Sequence, residues 1–396
     1  MERPYICIAG KNNIAVDILK HIIEQYGSDN ICVVCNRTET GENGFQRSLR
    51  LYSRVCKIPE YKLDELYKIK NLLLISLEYD QIIKPELFED ARLYNIHFSL
   101  LPQYKGMYTS AHPILNGEKY AGVTLHEIDS GIDTGNIIAQ ERFEIGESNC
   151  RELYLQYIEY GTALVIRYID NLIWNNYIAV KQDIAGSSYY SKKSINYNSI
   201  SIDLNQTAEG IQRQIRAYTF REYQLPVVFG MAIFGTSVLK SRSSEKPGVL
   251  LFRDEDSIVV STVDYDITLY FDKFEDLCEA CRQGELNRVK EINSFNVKII
   301  NEKDEHGWSP LMIATYYNQA SVVKYLITVG ADIHAKNRNG TNLLMYAKEA
   351  YKHSGDNTLF KLYLKLGLSI KTEDYKGRNL KSYIDEENIT LEELMK

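Results

Sequence analysis

Two rhythms of apolar and polar positions share the first half of the chain. Short unbroken apolar runs, "YICIAG", "ICVVCN" and "NLLLIS", have the pattern of strands buried on both faces, as in a parallel sheet. Between the first two, "IAVDILKHIIEQYG" repeats its apolar positions at helical spacing and stops at Gly27. "AGVTLHEIDSGIDTGNIIAQERFEI" reads as two strands around a loop from Ser130 to Gly135. A long helix follows, opened by Asn149 with Glu152 three positions on, a capping-box pattern, and it runs to about Trp174. This order predicts a doubly wound α/β domain over residues 1–185, with ligands at the carboxyl ends of its strands.

"AGSSYYSKKSINYNS" is rich in Ser, Tyr and Asn and reads as a connection that leaves the first domain. A helix, "TAEGIQRQIRAY", and the strands "GVLLFR", "SIVVST" and "ITLYF" predict a small α+β linking region over 186–272. The tail is different. Gly307, Gly340 and Gly377 recur at intervals of 33 and 37, each opening a Gly-x-x-Pro/Asn-Leu-type run. With "LITVGADIHAKN" after the first of them, this pattern resembles the ankyrin repeat. "FEDLCEACRQGELNRVKEI" reads as an opening helix pair and 377–396 as a truncated cap, so 273–396 is predicted to be all-α. One repeat cannot bury its own face, so about three stacked units are expected.

Composition narrows the class. At 396 residues the chain exceeds one ordinary core, and 44% hydrophobic with 25% charged residues fits a soluble globular protein. A net charge of −7 without a basic run argues against an extended nucleic-acid surface. The opening "MERPYICIAG" enters a strand directly, its apolar stretch being too short for a signal peptide, and no run approaches a membrane span. Seven cysteines, an odd number, point to a reducing compartment; a cytoplasmic protein is expected. The CxxC pairs Cys32/Cys35 and Cys278/Cys281 read as a buried strand and a helix face rather than a zinc site, and no metal is expected.

The chemistry concentrates in "NIHFSLLPQYKG". Strand alternation points Asn95 and His97 the same way, which is either a satisfied core detail or the floor of an active site. That motif, with "VTLHEIDSGIDTGNII" downstream, resembles the folate-dependent formyltransferases. "YKGMYTSAHPILNGE", "YYSKKSI" and "YTFREYQLP" look most like the branch that formylates nucleotide-linked amino sugars. The resemblance implies N10-formyltetrahydrofolate as co-substrate, a nucleotide-linked (thymidine diphosphate) amino sugar as acceptor, a product for surface polysaccharide, a homodimer, and a cis bond before Pro102. It also implies three catalytic residues. His97 takes the amine proton, Asn95 donates to the developing oxyanion, and Asp133 holds and stabilises His97.

Around them, Glu78, Tyr79, Asp80 and Ile128 are candidates for the folate pocket. Gly10, Lys11, Asn13, Lys105, Met107, Tyr108, Thr109 and Ser110 are candidates for the acceptor. Arg216, Phe220 and Tyr223 are candidates for its base or diphosphate, or else for packing. His112 and His126 either line the site or pack locally, and Ser99 ties down the turn. Trp308, at a hairpin tip, with Tyr316 and Tyr317, is a candidate second surface for a protein or a small ligand; the bland alternative packs Trp308 on the β unit. Methionyl-tRNA formyltransferase, formyltetrahydrofolate hydrolase, and an ankyrin binding protein with a disused enzyme domain are the competing readings.

Overall fold

The apolar runs become strands β1 (Tyr5–Gly10), β2 (Ile31–Cys35) and β3 (Leu72–Leu77), joined by a parallel β4 (Ala91–His97). These coordinates are a computed structural model describing residues 2–387 and 389–395. After a two-residue strand β5 (Lys105–Gly106), β6 (Tyr120–Glu127) and β7 (Ile137–Glu144) complete the sheet antiparallel, in the order β2-β1-β3-β4-β6-β7. The sheet is therefore mixed.

Helices α1 (Asn12–Tyr26), α2 (Leu49–Val55), α3 (His112–Leu115) and α4 (Cys150–Ile173) follow. Strand alternation divides the core. Ile6, Ile8, Leu73 and Ile75 face α1 and α4 with Ile18, Leu19, Leu164 and Val165, while Cys7, Ala9, Leu72, Leu74 and Leu93 build a smaller core on the other face. β1 is flanked by β2 on one side and β3 on the other, which opens a crevice beyond their carboxyl ends. The Asn149 side chain accepts from the Glu152 amide and the Glu152 carboxylate accepts from the Asn149 amide, so the predicted capping box starts α4.

β8 (Tyr189–Tyr190) pairs with β5, and α5 (Ala208–Tyr218) packs on α3 and α4. The sequence pattern set breaks at 185 and 272. The folded chain instead forms two units that meet at Pro226/Val227, with 186–226 packed into the first.

In the second unit, β9 (Val227–Val228), β10 (Met231–Val238), β11 (Leu250–Arg253), β12 (Ser257–Val260) and β13 (Ile267–Phe271) make an antiparallel sheet ordered β11-β12-β13-β10-β9. Helices then come in pairs: α6 (Phe274–Gln283) and α7 (Leu286–Phe295), α8 (Pro310–Tyr316) and α9 (Ala320–Thr328), α10 (Leu343–Ser354) and α11 (Thr358–Lys365), α12 (Leu380–Glu387) and α13 (Leu391–Met395). The repeating turns are written in side chains. Asp304, Asn337 and Asp374 each accept through Oδ1 from the amides two and four residues on, folding the chain into the same tip three times. Gly340 in that tip has φ +83, and a Cβ there would lie 2.5 Å from the Tyr375 amide nitrogen. Ser309 and Asn342 then cap α8 and α10.

Removing the α4 cap tests the local argument. Asn149→Ala should cost about 1 kcal/mol, measured by urea denaturation; an unchanged midpoint would mean that α4 is held by packing alone.

Candidate active site

At the carboxyl end of β4, Asn95 and His97 project from the face of the smaller core, two residues on from Leu93. His97 is buried, and its Nε2 lies 2.8 Å from the Tyr104 carbonyl oxygen. A carbonyl only accepts, so Nε2 carries the hydrogen and Nδ1 is the nitrogen left to receive a proton. Nδ1 faces Asp133 Oδ1 at 3.5 Å. The Tyr104 carbonyl, rather than Asp133, therefore sets the tautomer, and Asp133 stands where a newly charged imidazolium would meet it.

Asn95 is oriented in the same way. The β4–β6 register sets His126 opposite Asn95, with Asn95 Nδ2 3.1 Å from His126 Nε2. His126 Nδ1 donates to the Glu127 carbonyl at 2.7 Å, leaving Nε2 as the acceptor. Burial holds the imidazole neutral, its pKa lowered to about 4. The Asn95 amide nitrogen thus points toward His126, with one hydrogen bound there and one left for the site. Alternation in "VTLHEID" puts His126 on the same face as Thr124; only the strand register shows that it meets Asn95.

Asp133 sits in the loop between β6 and β7 with a left-handed φ of +54. Its Oδ2 accepts from the Gly106 amide at 2.9 Å. A Cβ on Gly106, at φ +88, would come within 2.3 Å of the Tyr190 carbonyl oxygen, so β8 can lie against β5 only with glycine there. Thr124, fully buried, donates to Ser99 O and accepts from the Leu101 amide, and Ser99 Oγ donates to Gln103 O at 2.6 Å. Ser99 ties down the turn as expected, and the Leu101–Pro102 bond is cis.

Residues 5–159 match the formyl transferase family, and 277–374 match ankyrin repeats. Methionyl-tRNA formyltransferase of Alkaliphilus oremlandii is 31% identical over 238 residues, covering 57% of this chain and 74% of that one. The chain belongs to the formyl transferase family. Among solved structures, the sugar 3N-formyl transferase WlaRD, determined with dTDP and 5-N-formyl-THF, is 41% identical with a TM-score of 0.64, covering 68% of this chain and 98% of that one. The N-formyltransferase from Helicobacter canadensis, in complex with folinic acid and dTDP-3-aminofucose, is 39% identical with a TM-score of 0.64, covering 68% and 100%.

This formyltransferase separates the candidate folate residues. Tyr79 and Ile128 pack on the smaller core, on the Asn95/His97 face, and Asp80 pairs with Arg37 beside them. Glu78 turns away. At φ +59, its carboxylate accepts from Asn12 Nδ2 and the Tyr154 hydroxyl, both at 2.9 Å, on the α1/α4 face. Burial raises its pKa, and it lies just past the carboxyl end of β3, close enough to Lys11 to feel its charge. Asn13 is occupied, because its Oδ1 accepts from the amide and Nε of Arg47.

Lys105 opens β5, and Met107, Tyr108, Thr109 and Ser110 follow that strand, with Met107 exposed and Tyr108 donating to the Lys192 carbonyl. Phe220 and Tyr223 join Tyr154 and Phe45 in a ring cluster next to Glu78. Arg216 does not join them, since its guanidinium donates to the Gly146 and Ser148 carbonyls and pairs with Glu147. His112 stacks on Tyr190 at 3.8 Å and bonds Ser194, so it packs locally.

Trp308 is not an exposed tip. It is half-buried among Tyr316 and Tyr346, and Tyr317 is the exposed ring of the group, with Arg282 over it. Among the described residues no cluster of His, Cys, Asp and Glu could hold a metal, and no helix is long and apolar enough to cross a membrane.

The neutral His126 gives a pH test. It binds a proton near pH 6.5 unfolded but only near 4 folded, so stability falls as pH drops through that window. By pH 4 this one residue accounts for about 3 kcal/mol. Imidazole NMR should show His126 neutral down to pH 5, and a midpoint near 6.5 would contradict its burial.

Proposed function

We propose that this formyltransferase moves the formyl group of N10-formyltetrahydrofolate onto the amine of a nucleotide-linked amino sugar, carried on thymidine diphosphate, for surface polysaccharide. One observation carries the chemistry: an imidazole whose free nitrogen faces a carboxylate, on the same strand face as an amide that a neutral histidine has oriented. His97 takes the amine proton at Nδ1 as the amine attacks the formyl carbon, and Asp133 stabilises the resulting imidazolium. Asn95 donates its remaining amide hydrogen to the oxyanion, a contact of a kind worth about 10²–10³ in rate. The bond from the formyl carbon to N10 then breaks, and His97 can return the proton to the departing nitrogen. Tyr79 and Ile128 would flank the pterin on that face. The crevice at Gly10, Lys11 and Glu78, with the ring cluster beside it, would take the acceptor.

Two observations favour a sugar over a tRNA acceptor. The 39–41% identity spans nearly the whole length of two sugar N-formyltransferases, and the net charge of −7 lacks a basic arm for nucleic acid. For the repeats, protein binding is the function proposed, and for the enzyme a homodimer in the cytoplasm.

The test is mass spectrometry of the purified chain with N10-formyltetrahydrofolate and a panel of nucleotide-linked 3-amino and 4-amino sugars. A formyl increment on one member supports the reading. Folate consumption without an increment favours a hydrolase, and formylation of methionyl-tRNA alone overturns the sugar assignment. His97→Ala should abolish turnover with acceptor affinity kept. Asp133→Asn should lower kcat by about 10²-fold or more while the fold persists; a near-normal rate would remove Asp133 from the mechanism.

A further inference from the structure

The segment after α4 lies beyond the stretch that matches the formyl transferase family, yet it holds both partners of His97 in place. One hold is on the loop after β4. The Ser188 hydroxyl accepts from the Tyr104 amide at 2.8 Å, the Ser188 carbonyl accepts from the Lys105 amide at 2.9 Å, and the Tyr190 carbonyl accepts from the Met107 amide at 2.8 Å. These bonds fix the residue whose carbonyl receives His97 Nε2–H.

The other hold is a single side chain. Gln182 Nε2 donates to the carbonyl of Asp133 at 2.9 Å and to the carbonyl of Gly135 at 2.8 Å. Both hydrogens of the amide are used, so its orientation is unambiguous; reversed, Oε1 would face two oxygens with no hydrogen between them. The consequence is that Gln182 Oε1 is buried without a partner. A buried acceptor left unpaired is unfavourable and calls for a reason. The backbone it grips is itself unfavourable, because Asp133 is a non-glycine residue at φ +54. Two unfavourable arrangements meet at the one turn that aims a carboxylate at His97 Nδ1.

We propose that Gln182 is a positioning residue for formyl transfer. It holds the Asp133 turn in its left-handed form from behind, while the Gly106 amide holds the carboxylate from in front. The inference rests on the role given above to Asp133.

The experiment is a double-mutant cycle in the 396-residue chain with N10-formyltetrahydrofolate and dTDP-3-aminofucose. Its variants are Gln182→Ala, Gln182→Glu, Asp133→Asn and Gln182→Ala/Asp133→Asn. Displacing a reacting group by about 1 Å can cost on the order of 10²-fold. Gln182→Ala should therefore lower kcat by about 10- to 100-fold, with the acceptor KM within about twofold of wild type. Gln182→Glu, which cannot donate, should do no better. In the Asp133→Asn background the Gln182→Ala loss should disappear.

Hydrogen exchange at the Gly106 amide reads the same displacement without turnover and should quicken in both Gln182 variants. Wild-type kcat in Gln182→Glu, an undiminished loss on top of Asp133→Asn, or unchanged Gly106 exchange each overturns the proposal while leaving the role of Asp133 standing. A wild-type rate in Asp133→Asn alone overturns that role and the proposal with it.

Discussion

The bond from His97 Nε2 to the Tyr104 carbonyl is the constraint on which the site depends. It is a bond to backbone, so no side-chain titration can reverse its direction. Once it is made, the imidazole has one nitrogen left for chemistry, and that nitrogen faces Asp133. The local conformations serve this geometry. Tyr104 and Tyr108 both lie at positive φ, Gly106 between them can accept no Cβ, and a two-residue strand from far along the chain covers that stretch. A neutral histidine does for the Asn95 amide what a carbonyl does for His97. In each case an atom that can only accept, the Tyr104 carbonyl oxygen or His126 Nε2, leaves the donor in a single orientation.

Much of this architecture was legible in the sequence because it is written in local terms. Unbroken apolar runs gave strands buried on both sides, Asn149 and Glu152 gave the start of α4, and a glycine period gave the repeats. The antiparallel edge of β6 and β7 extends the sheet beyond what parallel βα units imply. The placement of residues 186–226 was not legible. A Ser/Tyr/Asn-rich stretch has the composition of a linker, and it is pairing with β5 and the packing of α5 on α3 and α4 that draw 186–226 into the first unit.

For the site, strand alternation paired Asn95 with His97, and the structure brings Asp133 to them. What escaped the sequence depends on long-range register or on a single dihedral angle. His126 meets Asn95 only because β4 and β6 run antiparallel in one register. Glu78 follows a strand whose alternation says one thing, and its positive φ sends the carboxylate to the other face. Arg216 had the look of an anion ligand, but two loop carbonyls and Glu147 engage it. Trp308 sits at the predicted turn, yet neighbouring rings of its own repeats cover part of it.

The repeat turns carry a consequence for how this half of the chain can change over time. Lys303 Nζ donates to the Lys336 carbonyl at 2.7 Å, and Lys336 Nζ donates to the Glu373 carbonyl at 2.8 Å, so successive units are joined by the same bond in the same register. This bond asks of the neighbouring unit only a main-chain oxygen, which every amino acid supplies. By contrast, the contacts of Trp308 with Tyr346, Thr315 with Tyr363 and Lys348 with Glu387 join units through particular side chains. A unit can therefore be duplicated, lost or exchanged by recombination with this link intact, and compensating substitutions are needed only where packed side chains of adjoining units meet. The array is modular in its turn-to-turn backbone link, which is blind to side-chain identity on the receiving side, and selective in its helix packing.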